Sequence, residues 1–191
     1  MQKAKVLKPL RVLLTAGPTR TYIDHVRFLS NFSTGRLGYL IAEVLKDAGA
    51  EVFAVVGPCN QPFEKLKLKK LFRVETNDEM ERAIFQVLEK HHPTWGVFSA
   101  AILDFHPRKK RMGKISSHRG TWNIELVPTR KIIDRVSKKY PELKKIGFKL
   151  EWRKPNAPRL ERFAKAQIKQ KSYNAMVLNF LPNSTATGRP T

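Results

Sequence analysis

Leu13–Gly38, LLTAGPTRTYIDHVRFLSNFSTGRLG, carries the reading on which the rest of the chain depends. With Val12, its first residues form the short continuous apolar run of a strand buried on both faces. A polar loop follows, and about fifteen residues separate Gly17 from the next helical pattern, where two to six are usual. Ordered loops of that length are disproportionately functional. Gly35 and Gly38 then open an amphipathic helix, so several backbone N–H groups converge on one small volume, which suits an anion. Arg20, Arg27, Asn31, Ser33, Thr34 and Arg36 add side-chain donors against a single carboxylate, Asp24. That balance fits a ligand bearing phosphate.

Downstream, Leu37, Leu40, Ile41, Val44, Leu45 and Ala48 fall three and four apart on one helical face, and Gly49 supplies the stop. Glu51 to Val56 is a second apolar strand closed by Gly57 and Pro58, which completes a strand, helix, strand unit whose expected outcome is a parallel sheet. Phe72 to Thr76 reads as a third strand. Thr76 and Glu79 make a capping box for a helix with Met80, Ala83, Ile84, Val87 and Leu88 inward. Trp95 to Ala101 reads as a fourth strand. Residues 105–121, FHPRKKRMGKISSHRGT, are basic and without periodicity, a flap before a strand at Trp122 to Val127. Thr129 is placed to cap a helix burying Ile132, Ile133 and Val136; a strand at Lys145 to Leu150, a helix at Leu160 to Lys171 and a strand at Ala175 to Leu178 complete the pattern.

This alternation predicts an α/β, Rossmann-like open, mostly parallel sheet with helices on both faces and a basic flap. One domain over 1–191 is expected, with a basic tail at 1–10 and a frayed end at 180–191. Ligands of such sheets sit at the carboxyl ends of the strands. Gly17, Ala100, Ala101, Asp104 and Phe148 should therefore meet beside the long loop.

Composition narrows the chemistry. The lone Cys59 permits no internal disulfide or cysteine-based zinc site, and the five histidines have no metal-ligand spacing, so no protein-held metal is expected. No run of eighteen apolar residues and no signal-peptide pattern is found, which points to a cytoplasmic protein with no membrane partner. Thirty-seven Lys plus Arg against sixteen Asp plus Glu leave a charge of +21, which draws polyanions or phosphorylated substrates. Nucleic acid is not the expected partner. In EKLKLKK, 64–70, Leu66 and Leu68 alternate with lysines as on a guarded sheet edge, and aromatic residues are not interleaved with the basic ones.

Neither GxGxxG nor GxxxxGK[ST] is present, so the phosphates must be held another way. Ser33, Gly35 and Gly38 at the helix start, where the dipole amounts to roughly half a positive charge, can do so. The Asn31 amide could donate to a carbonyl or a developing oxyanion, or serve as a turn-former. Lys114, beside Gly113, could close over a phosphate or remain solvated. Asp104 could accept from a hydroxyl or cap a turn.

Taken in order, TAGPTRTYIDHVRFLSNFSTGRLG, SAAILDF, GKISS, PTRKII, IGFKLE and MVLN resemble phosphopantothenoylcysteine synthetase, the phosphopantothenate:cysteine ligase of coenzyme A biosynthesis. In many bacteria this family forms the C-terminal domain of the DNA/pantothenate-metabolism flavoprotein. The resemblance implies a ligase that activates the carboxylate of phosphopantothenate with CTP or ATP and Mg2+, forms an acyl-nucleotidylate, and passes the acyl group to the amine of cysteine. By the same resemblance Asn31 stabilises the acyl-nucleotidylate step, and Ala100, Ala101 and Asp104 line the phosphopantothenate and nucleotide pocket. Gly17, Ser33, Gly35, Gly38, Phe148 and Asn179 surround the nucleotide, and Lys114 and Lys171 serve its phosphates. Arg27 matches an arginine that reaches the substrate phosphate of a neighbouring subunit, which implies a homodimer. No flavin is expected on this chain. Pro18 stands where the family commonly has a second glycine, Gln167 where many bacterial members have a nucleotide-contacting lysine, and the family usually continues with a further strand and helix. The rival readings are a polyanion or nucleic-acid binding module without turnover and, disfavoured by the missing GxGxxG, a nicotinamide-dependent reductase.

Overall fold

β1 (Arg11–Ala16) is the axis of a six-stranded sheet in which every neighbouring pair runs parallel. On one side lie β4 (Glu51–Val56) and then β5 (Lys70–Arg73). On the other lie β6 (Trp95–Phe98), β9 (Lys144–Glu151) and β10 (Ala175–Phe180). The order β10-β9-β6-β1-β4-β5 is that of a Rossmann-like α/β fold, and its direction reverses between β1 and β6. The computed structural model describes residues 9–116, 118, 120–151 and 157–180, with the backbone alone at 157, 163, 167, 170 and 171. Most of the expected basic tail and of the expected frayed end lies outside them.

The apolar run of β1 serves two cores because successive strand residues face opposite ways. Val12, Leu14 and Ala16 join Val52, Ala54, Val56 and Val97 under α1 (Arg36–Asp47). Leu13 joins Phe53 and Val55 under α2 (Asn77–His91) and α3 (Ile132–Lys139). α4 (Ala157–Lys171) packs on β10 and α3. The capping box of α2 is formed, with the Glu79 N–H donating to Thr76 Oγ1 at 3.3 Å and the Thr76 N–H to Glu79 Oε2 at 3.1 Å. Met80 is fully buried on this helix. Met80→Ala is expected to destabilise the fold by about 2–5 kcal/mol, read as a lower urea midpoint with an unchanged slope.

Several expectations need correction. Ile41 and Leu45 pack on the core as expected, but Leu37, Leu40 and Val44 are 45%, 44% and 67% exposed, and the residues α1 buries fully are Gly38 and Ala42, small residues that let it settle onto β1. β5 starts at Lys70 and ends at Arg73, because the chain must turn at Glu75, whose carbonyl accepts from the Arg20 N–H, and enter the cap of α2. Phe63–Leu66 is a 3₁₀ turn that buries Phe63 and Leu66, so the lysine run is not one strand, although β5 is an edge. Thr129 does not cap α3, whose N-cap is Lys131 without a side-chain bond; its hydroxyl donates to the Leu103 carbonyl at 2.6 Å.

Two hairpins escaped the sequence reading. β2 (Arg20–Tyr22) pairs with β3 (Phe28–Ser30) inside the long loop. β7 (Phe105–Pro107) pairs with β8 (Leu126–Pro128), so the flap is an arm on an antiparallel stem and the strand expected from Trp122 starts only at Leu126.

Candidate active site

The reversal between β1 and β6 brings Gly17 and Ala101 together, with the Ala101 N–H donating to the Gly17 carbonyl at 2.9 Å. Gly17 has φ 72°, and a side chain there would press on the backbone of Gly57 at 3.0 Å. The β2–β3 hairpin then folds the long loop back, pairing Arg20 with Ser30, so that Asn31 emerges beside β6. Asn31 Nδ2 donates to the carbonyls of Ala101 at 3.3 Å and Ile102 at 3.2 Å. Asn31 is exposed, and both bonds are long for a neutral amide.

Residues after β6 are held from three sides. Thr19, fully buried, donates from Oγ1 to Asn77 Oδ1 at 2.5 Å and accepts there from the Leu103 N–H at 3.0 Å. Asn77 Nδ2 and Thr129 Oγ1 both donate to the Leu103 carbonyl. Asp104 pairs with Lys131 at the end of this segment, and its carbonyl accepts from the Thr129 N–H at 2.8 Å.

α1 begins at the same edge. Gly35, at φ 72°, is its N-cap; its N–H donates to Ser33 Oγ at 3.4 Å, and a Cβ there would meet the Cys59 sulfur at 2.6 Å. A Cβ on Gly38 would collide with the Ala16 side chain and reach Ser99 Oγ at 3.1 Å. Phe148 packs against the core under α1, and the register puts Phe148 opposite Val177 and Leu150 opposite Asn179. Phe148 and Asn179 therefore share the α1 side of the sheet, with Asn179 three strands from β1, about 14 Å by strand spacing. Lys171 closes the backbone of α4, and its side chain lies outside the described residues.

The flap residue Lys114 is exposed. Arg27 is engaged within its own chain: Nη1 donates to Asp24 at 2.9 Å, Nη2 to the Ile115 carbonyl at 3.2 Å, and the guanidinium lies 5.3 Å from the centre of the Trp122 ring. Asp24 is fully buried and accepts from the N–H groups of Val26, Arg27 and Ile115. Burial pushes its carboxyl up, but those three donors and the Arg27 charge outweigh it and hold the carboxyl below its ordinary value. Glu64, Glu75 and Glu89 are shifted the same way. A carboxyl depressed in the folded state contributes stability that is present above its unfolded pKa, roughly 3.9 for Asp, and lost as pH falls through the folded value. Melting temperature should fall as the pH drops below about 4, and less steeply in Asp24→Asn.

Sequence reasoning missed Asp24, Thr19, Asn77 and Thr129 as parts of this edge. Only the Asp24 to Arg27 spacing carried a local signal, an acid three residues before a base. A cleft of about 540 Å³ lined by Arg20, Tyr22, Asn77, His106 and Arg130 opens nearby, and it excludes Asn31, Ala100 and Lys114. Among the described residues no group of three or more His, Cys, Asp or Glu is placed so as to hold a metal ion, and no helix is long and apolar enough to cross a membrane.

The profile of the DNA/pantothenate metabolism flavoprotein C-terminal domain matches residues 7–189. The chain belongs to that family. Its relatives include the Coenzyme A biosynthesis bifunctional protein CoaBC of Thermococcus kodakarensis, 40% identical over 147 residues, 77% of this chain and 36% of that protein. The protein of the same name from Bacillus subtilis is 31% identical over 91% of this chain and 41% of its own length. The chain thus spans about two fifths of these relatives. A crystal structure of the C-terminal domain of a CoaBC is 32% identical, with a TM-score of 0.73, and covers 91% of this chain and 78% of that one. Within the flavoprotein C-terminal domain family, then, the resemblance read from six ordered motifs and the parallel-sheet fold both hold.

Proposed function

We propose that this chain is a phosphopantothenate:cysteine ligase, a phosphopantothenoylcysteine synthetase acting in coenzyme A biosynthesis. The observation that carries the proposal is the meeting of Asn31 with the Ala101 and Ile102 carbonyls at the β1/β6 reversal, next to the N-terminus of α1. An amide donor, a helix start and a carboxyl-edge crevice together suit acyl activation by a nucleotide. The carboxylate oxygen of phosphopantothenate attacks the α-phosphorus of CTP or ATP and pyrophosphate leaves. The amine of cysteine then attacks the acyl carbon, and the nucleoside monophosphate departs with one former carboxylate oxygen.

In this reading Asn31 turns its N–H groups from two neutral carbonyls to the charged oxygen that develops on the acyl carbon, since hydrogen bonds to a charged acceptor are roughly twice as strong. Ala100, Ala101 and Asp104 line the acyl and nucleotide pocket, while Gly17, Ser33, Gly35, Gly38, Phe148 and Asn179 surround the nucleotide. Lys114 and Lys171 serve its phosphates. Magnesium, held by the nucleotide phosphates with the donors of this edge around them, supplies charge neutralisation. The protein acts as a homodimer in the cytoplasm, with the exposed edge of Arg27 turned to the substrate phosphate of the neighbouring subunit. A module that only binds polyanions would have no need to keep Asn31, Lys114 and Asp104.

The test is pyrophosphate release with phosphopantothenate, cysteine and magnesium, run in parallel with CTP and with ATP. Release that requires phosphopantothenate is expected and names the nucleotide. Salt-steep nucleic-acid affinity without pyrophosphate release would favour the binding module.

A further inference from the structure

We infer that Asp24 is a positioning residue for Lys114: its carboxylate holds the Ile115 N–H on one side of that lysine, and the turn it shapes holds Arg111 and Gly113 on the other. The inference rests on the proposed role of Lys114 at the nucleotide phosphates. The turn at residues 23–27 meets the flap at alternate positions. The Arg111 N–H donates to the Ile23 carbonyl at 2.9 Å, the His25 N–H to the Gly113 carbonyl at 3.3 Å, and the Ile115 N–H to Asp24 Oδ2 at 3.4 Å. Arg27 returns a bond to the Ile115 carbonyl and covers the Trp122 ring, so the far limb of the flap is tied to the same turn. A cleft of about 250 Å³ lined by Ile23, Arg108, Arg111 and Trp122 lies between turn and flap.

The alternation has a consequence for side chains. Residues 111, 113 and 115 are tied to the turn by hydrogen bonds, while the side chains of Met112, 83% exposed, and Lys114 stand in solvent. Lys114 is thus the residue between two fastened neighbours, its backbone held while its ammonium remains free to reach. Asp24 is the hub, because its buried carboxylate both shapes the turn, through the Val26 and Arg27 N–H groups, and orients the Arg27 fork. A buried carboxylate needs such partners, so the turn and the flap order one another. Held in this way, the flap loses less freedom when Lys114 closes on phosphates, which favours nucleotide binding.

The test compares the unaltered chain with Asp24→Asn, which keeps the shape and removes the charge. Amide hydrogen exchange over residues 111–115 without ligand should quicken on the order of tenfold or more, with β1 and β4 protection unchanged. The KM for the nucleoside triphosphate, measured at saturating phosphopantothenate, should rise by a similar factor. Should Asp24→Asn not fold, Arg27→Lys, which keeps the charge and loses the fork, is expected to quicken flap exchange in the same way. Unchanged flap exchange would overturn the inference, and so would faster exchange with an unchanged KM. A wild-type chain that binds nucleotide without turnover would refute the ligase reading instead, and nucleotide affinity would then replace KM as the second readout.

Discussion

Asn31→Ala is expected to lower turnover by about 10²–10³-fold while leaving the protein folded. The side chain is exposed, and its two bonds to the segment after β6 are long and neutral, so their loss costs little stability. The bonds it would make to a developing oxyanion are charge-assisted and formed only as the reaction proceeds, so their loss appears in kcat. Nucleotide activation can still occur in the variant, and the acyl-nucleotidylate should accumulate with cysteine withheld or present. Rapid quenching and mass measurement of the acyl-nucleotidylate, beside a thermal melt, read both halves of the prediction. A folded variant with normal turnover would remove Asn31 from the chemistry.

Gly38→Val should act through packing and reach the nucleotide. A Cβ at 38 collides with the Ala16 side chain at the end of β1 and crowds Ser99 Oγ, and neither neighbour can retreat, because Ala16 is fully buried and Ser99 Oγ donates to the Thr15 carbonyl at 2.6 Å. The first turn of α1 must lift away from the sheet edge. Overpacking of this kind costs about 1–3 kcal/mol, and the displaced N–H groups should weaken nucleoside triphosphate binding. Urea unfolding and nucleotide titration measure the two effects. Leu37→Val, at the exposed neighbouring position, should leave both nearly unchanged.

The contrast between these residues shows what was legible beforehand. The strand, loop, helix, strand unit could be read because its apolar runs are long and bounded by glycines, and the α2 capping box stands in adjacent residues. The buried face of α1 was only partly legible: Ile41 and Leu45 pack on the core as their spacing indicated, but Gly38 and Ala42 carry no apolar signal, and their smallness is what admits close contact with β1. Thr19 and Asn77 lie 58 residues apart, and no local pattern pairs a loop hydroxyl with the first residue of a distant helix. The hairpin β2–β3 was hidden by its short strands of three residues each. The meeting of Gly17 with Ala101 was legible from topology, since the strand order brings the ends of β1 and β6 together, whereas Asn31 was singled out only by its amide and by the family resemblance.

The central claim is carboxylate activation by nucleotidyl transfer, and oxygen tracing tests it most directly. Phosphopantothenate labelled with ¹⁸O in its carboxylate is turned over with cysteine, magnesium and the preferred nucleoside triphosphate, and the nucleoside monophosphate is weighed. Acquisition of one ¹⁸O atom by the monophosphate is the predicted result, because the attacking oxygen leaves with the α-phosphorus. Amide formation with an unlabelled monophosphate, or with the label in inorganic phosphate and a nucleoside diphosphate as co-product, would contradict the account.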